Sequence, residues 1–184
     1  MTGRLFAIVG PSGAGKDTLI RGALAARPDL AVVRRVITRP AEAGGEDFEG
    51  VSEAAFLTRR ATGEFALDWQ AHGLRYGIPK AALVPLAQGT DLLFNGSRQG
   101  LPEAAALWPG LVVIHVTAPP EVLAARLTAR ARESAGDVAA RVARAAMPLP
   151  EGLPAGLNVV TVMNDASPAT GIARFLAALQ PVSA

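Results

Sequence analysis

Cysteine is absent from the 184 residues. That excludes disulfides, thiolate catalysis and Cys-ligated zinc, and it fits a cytoplasmic protein. No apolar run reaches the roughly 18 residues of a membrane span, so no membrane attachment is expected. The start, "MTGRLFAIVG", has too short an apolar part for a signal peptide and lacks a small-residue cleavage site. Neither a nucleophile–His–acid triad nor a carboxylate pair at a recognisable spacing is present. Lysine is scarce too: of 18 Lys and Arg, only Lys16 and Lys80 are lysine. Arginine therefore sets the pI of 9.7, yet its longest runs are the pairs Arg34-Arg35 and Arg59-Arg60. That scatter makes a poor nucleic-acid stripe. Arginine grips phosphate bidentately, which suits small phosphorylated ligands, while many of these side chains are expected to be solvated surface. What is present is ordinary: 50% apolar and 18% charged residues describe one globular domain.

"RLFAIVG" reads as a buried parallel strand running into a Gly-rich turn. Residues 16–26 read as a helix stopped near Pro28, and "LAVVRRVIT" as a second strand. Residues 38–50 are polar and Gly-containing, hence a loop. Ser52 is placed to cap a helix through about Arg60. "EFALDWQAHGLRYGIP" suggests two extended pieces around an "HG" turn, with Pro79 in a helix first turn and Gly89 at a helix end. "DLLFNGS" and "LVVIHVT" are two more strands, each followed by a Pro-started, Ala-rich helix. Residues 120–146 read as two helices broken near "ESAGD", and "NVVTVMN" as a last strand. Ser167 then caps a final helix, with Pro168 in its first turn, to about Leu179. Strands alternating with helices imply a parallel α/β sheet. "MPLPEGLPAG" (147–156) is the linker-like segment.

The stretch "GPSGAGKDTL" carries the chemistry. Gly10, four residues, Gly15 and Lys16 reproduce a phosphate-cradling loop in its expected place, after a strand and before a helix. Glycines let successive N–H groups face an anion, and the helix N-terminus adds partial positive charge. The next residue is Asp17, where Ser or Thr would meet magnesium. Asp17 could ligate Mg²⁺ directly or through water, or serve only as an acid favouring the helix dipole. Thr18 could supply the missing hydroxyl, although one residue along a helix turns it about 100° away. An ordinary Gly-rich strand–helix turn is the alternative to all three.

Taken together, "GPSGAGKD", "ITRP", "GGEDFEGVSEAAF", "GEFALDW", "HGLRYG", "APPEVLAARLTARARE" and "ND" resemble the guanylate kinase family over nearly the whole chain. The resemblance implies a P-loop NTPase-type α/β fold: a five-stranded parallel sheet flanked by helices, with an acceptor-binding lobe (35–88) and a lid (126–144). The core would be 1–34, 89–125 and 145–184. Departures are informative. The family's acceptor-phosphate Arg and Tyr match Arg39 and Tyr76, but its second Arg falls at Glu42 and its other Tyr at Phe48. Guanine-reading positions fall at Arg35 and Asp68, and the family's "DID" is Asn95 to Ser97. "GPSG-x-GKD", "ITR", "HG-L-x-YG" and "NGSR" are more similar to the ribose 1,5-bisphosphate phosphokinases. Asp follows the loop Lys in that group. It implies ATP-dependent synthesis of 5-phosphoribosyl 1-diphosphate (PRPP) from ribose 1,5-bisphosphate, in bacterial phosphonate breakdown.

On that resemblance Gly10, Pro11, Ser12, Gly13, Ala14, Gly15, Lys16, Asp17 and Thr18 hold ATP. Lys16 stabilises the transition state and Asp17 lies near Mg²⁺. Arg126, Arg130 and Arg141 match lid and adenine-side arginines, whereas Arg144 has no counterpart; a solvated helix face is the alternative for Arg126 and Arg130. Asn164 and Asp165 match a loop near adenine, or form a plain turn. Arg39 and Tyr76 bind the acceptor phosphate, and Arg35, Asp68, Asn95, Ser97 and Arg98 shape the ribose site. An ion pair or surface charge is the alternative for Asp68 and Arg98. His115 reads as a satisfied strand histidine, and His72 as a turn residue that could touch substrate. Trp69 and Trp108 read as packing residues. Rival functions are a guanylate-type nucleoside monophosphate kinase and a non-catalytic binding module.

Overall fold

The structure, a computed structural model, describes residues 2–40, 46–129, 135–145 and 147–180. Its centre is β1 (Leu5–Val9), an all-apolar strand with every residue buried. Apolar residues without alternation are what a strand covered on both faces requires. β1 is flanked in parallel by β7 (Asp91–Asn95) and β8 (Val112–Thr117). β2 (Leu30–Val32) and β9 (Asn158–Met163) complete the five-stranded parallel sheet in the order β2-β7-β1-β8-β9. On one face Phe6 and Ile8 meet α1 (Lys16–Ala26), α5 (Pro120–Ala129) and α7 (Pro168–Ala178) through Leu19, Leu123 and Phe175. On the other, Leu5, Ala7 and Val9 meet α4 (Leu101–Leu107) and, through Leu67, Trp69 and Ile78, a second sheet.

That second sheet has four strands in the order β4-β3-β6-β5. They are β3 (Arg35–Ile37), β4 (Phe48–Gly50), β5 (Phe65–Ala71) and β6 (Leu74–Pro79). The expected single strand "LAVVRRVIT" is thus two strands in different sheets. β2 pairs with β7, while β3 pairs with β6 and β4. Only Val33 and Arg34 separate the two strands while the chain changes partners, so a run of β-branched residues cannot reveal the break. The expected loop 38–50 ends in a strand, because β3 offers an open edge on which Phe48 can be buried. Pro79 ends β6 and precedes a 3-10 turn, Lys80–Leu83, rather than sitting within a helix; α3 (Val84–Ala87) follows, and Gly89 takes the left-handed conformation expected of a helix end.

The cap and hairpin expectations are met, while the expected break near "ESAGD" falls partly outside the described residues, with residues 135–137 inside a helix. Ser52 accepts from Ala55 N to cap α2 (Glu53–Ala61), and Ser167 accepts from Thr170 N to cap α7. β5 and β6 form a hairpin around His72-Gly73. α6 (Ala135–Ala145) follows α5. No helix among the described residues is long and apolar enough to cross a membrane.

Candidate active site

The β1–α1 connection is shaped for an anion. Gly15 is the N-cap of α1 at φ 89°, with no side-chain cap. The first-turn amides of α1 are therefore left to another partner, unlike those of the Ser-capped α2 and α7. An added Cβ at Gly15 would lie 2.6 Å from Asn164 Nδ2, and one at Gly10, φ 152°, only 2.1 Å from the Val116 carbonyl oxygen. Packing and backbone conformation thus both demand glycine there. Lys16 Nζ donates to the carbonyls of Gly10, at 2.8 Å, and Pro11, at 3.2 Å, which folds its ammonium over the loop.

Asn164 and the arginines brace this loop. Asn164, buried after β9, donates through Nδ2 to Ala14 O at 2.7 Å, and its own N donates to Thr117 O. It supports the loop from beneath and does not line the cleft. Arg141 on α6 donates to Ser12 Oγ at 2.9 Å, and Arg126 makes a long 3.5 Å contact to Gly13 O. Asp165 pairs with Arg174, whose guanidinium holds its carboxyl below the usual range. Arg130 and Glu42 lie outside the described residues, as does the Arg144 side chain.

A cleft of about 870 Å³ opens in front of the loop. Gly10, Pro11, Ser12, Lys16 and Asp17 form one wall. Arg35, Arg39 and Tyr76 come from the second sheet, Asn95, Ser97 and Arg98 from the end of β7, and Arg141 from α6. Gly13, Ala14, Gly15, Thr18, Arg126 and Asp68 are not on its lining. Asp68 instead pairs with Arg60 at 2.9 Å, the ion-pair alternative. Ser97 Oγ accepts from Gly100 N at 3.3 Å, and Arg98 donates to Ala145 O at 3.1 Å.

Behind the Arg35 and Tyr76 lining lies an aromatic–cation stack. Trp69 and Tyr76 lie nearly parallel, 5.3 Å apart, with the Arg35 guanidinium 4.9 Å from the Tyr76 ring. Arg39 lies 4.3 Å from the Phe48 ring, so Phe48, the position of the guanylate kinases' other Tyr, serves as a platform for it. Burial pushes the Tyr76 phenol pKa up, with Arg35 and Arg39 opposing. His115 departs from expectation. Its Nε2 is buried and has no hydrogen-bond partner among the described residues. Burial, then the charges of Arg98 and Lys16, push its pKa down.

His72, read from the sequence as a turn residue that could touch substrate, is on the lining, and Glu46 is a lining residue that the sequence reading did not single out. His72 lines the cleft from the β5–β6 turn with φ 53°. Glu46 pairs with Arg35 and lines it too. The motif "GGEDF" holds Glu46, but only the approach of β4 to β3 brings it to Arg35.

No family model matches the sequence. A ribose 1,5-bisphosphate phosphokinase PhnN from Ruegeria sp. is 53% identical over 152 residues, 82% of this chain and 80% of that protein. A bifunctional ribose 1,5-bisphosphokinase–thymidine phosphorylase from Cupriavidus necator is 51% identical over 180 residues. The alignment covers 97% of this chain but only 29% of that longer protein, so the chain spans under a third of its length. The crystal structure of guanylate kinase from Anaplasma phagocytophilum superposes with a TM-score of 0.67, covering 96% of this chain and 84% of that one, at 19% identity. That likeness carries the fold. Loop, cleft and the PhnN alignment agree, and the chain belongs to the ribose 1,5-bisphosphate phosphokinase PhnN family.

Proposed function

We propose that this chain transfers the terminal phosphoryl group of ATP to the 1-phosphate of ribose 1,5-bisphosphate, giving PRPP and ADP in phosphonate catabolism. The observation that carries the reading is the cleft's charge. Among the described residues Lys16, Arg35, Arg39, Arg98 and Arg141 face it against Asp17 and Glu46, a balance that suits two polyanions brought end to end. Residues 35–88 act as the acceptor-binding lobe and 126–144 as the lid.

The loop amides and Lys16 take the triphosphate, and the lid arginines Arg130 and Arg141 screen charge on the transferring group. Arg39 and Tyr76 hold the acceptor phosphate, with Arg98 and Ser97 at the sugar. A phosphate oxygen is already anionic near neutral pH, so the absence of a candidate general base is no obstacle. Catalysis rests on positioning and charge screening. The described residues contain no group of three or more His, Cys, Asp or Glu. That excludes an all-protein cage there but fits magnesium, which takes one or two carboxylates and the phosphates themselves. Asp17 would hold it, and the ion would supply positive charge to offset the charge of the phosphates. Most other arginines meet acids at the surface, among them Arg4 with Asp91 and Arg75 with Glu53, which speaks against a nucleic-acid face.

The test is ADP release with ribose 1,5-bisphosphate and, separately, with GMP. Turnover is expected with the sugar, and Lys16→Ala is expected to lower kcat by about 10²–10³-fold. Phosphorylation of GMP with none of the sugar would reject the reading.

A further inference from the structure

Among the described residues five cations line the cleft and two carboxylates oppose them. Asp17 sits at the loop. Glu46 sits among the arginines instead, its side chain 17% exposed. A carboxylate in a site for a doubly phosphorylated sugar opposes phosphate binding, so it calls for a partner that is not phosphate. The sugar's remaining polar groups are hydroxyls, and each bound hydroxyl needs an acceptor once it leaves water.

The two oxygens of Glu46 are not equivalent. Oε1 is committed to Arg35 Nη2. Arg35 is 5% exposed and fixed against the Tyr76 and Trp69 rings, so its guanidinium acts as an anchor for the carboxylate. Among the described residues Oε2 receives Asn95 Nδ2 at 3.4 Å, and the same Nδ2 lies 3.4 Å from Asp17 Oδ1. Both are long contacts for an amide donor, and a carboxylate has room for about four hydrogen bonds. Oε2 therefore keeps accepting capacity, on a residue that lines the cleft together with Asp17 and the arginines. Asn95 ties its position to that of Asp17.

We propose that Glu46 reads the adjacent 2- and 3-hydroxyls of the pentose, with Arg35 holding the carboxylate in place. The proposal rests on the kinase reading above. The site then selects ribose over its 2-deoxy analogue, because loss of one hydroxyl leaves a fixed, buried acceptor short of its donor.

The test compares kcat/KM for ribose 1,5-bisphosphate and 2-deoxyribose 1,5-bisphosphate in the wild type and in Glu46→Gln, with the KM for ATP and the melting temperature as controls of loop and fold. The wild type is expected to prefer ribose by about 10- to 100-fold, the range of a hydrogen bond to a charged group. In Glu46→Gln that preference should fall at least about tenfold, mostly through loss with ribose. A wild type that uses both sugars within about threefold overturns the assignment with no variant involved. So does a Glu46→Gln enzyme that loses both sugars in proportion, since Glu46 would then serve only to hold Arg35. Wild-type enzyme that turns over neither sugar fails on the kinase reading itself, and the assignment falls with it.

Discussion

His115 is placed where a strand would normally carry an apolar side chain or a hydrogen-bonded polar one. Its Nε2 has no partner among the described residues, and the ring is held neutral by burial and by the nearby Arg98 and Lys16 charges. The folded pKa is lowered from 6.5. Below that pH the unfolded chain binds a proton that the native state refuses, so stability is lost as pH falls. Melting curves between about pH 5 and 7 should therefore show a decline on acidification that His115→Gln makes shallower. An unchanged slope would assign the acid sensitivity to other groups. The sequence could place His115 in a strand but not show what faces it, because its charged neighbours come from positions 16 and 98.

Helix caps and glycines were the most legible parts of the chain, since their signals are local. Ser52, Ser167 and Pro168 stand where a cap and a first turn need them. Losing the Ser167 cap should destabilise by about 1 kcal/mol and leave catalysis alone. Gly15→Ala behaves differently. It forces a methyl toward Asn164 at a left-handed φ and spoils the loop, so ATP should fail to raise the melting temperature of this variant as it does that of the wild type. Thermal shift with and without ATP and magnesium measures both. The strands were less legible where they change partners. β2 and β3 are separated by two residues, and β4 exists only because β3 has an edge to offer. Neither fact is written in periodicity. The same long-range pairing explains why Glu46 was missed and why Asp68, two strands away, was taken for a sugar ligand.

At the scale of the molecule, the stack beneath the cleft gives the protein an optical reporter of its own. The chain has one tyrosine and two tryptophans. Tyr76 lines the cleft and Trp69 stacks behind it, with the Arg35 guanidinium near both rings, while Trp108 packs beside Phe94. Indole emission responds to nearby charge, so an acceptor that displaces or re-aims Arg35 should change the intensity or colour of Trp69 fluorescence. A saturable change on adding the pentose bisphosphate, absent from Trp69→Phe but kept in Trp108→Phe, would report occupancy without a label. No change in the wild type would mean that the guanidinium stays parked while substrate binds. Stacking that serves packing thus also makes the enzyme's ligand affinity readable by eye of a spectrometer, one titration at a time.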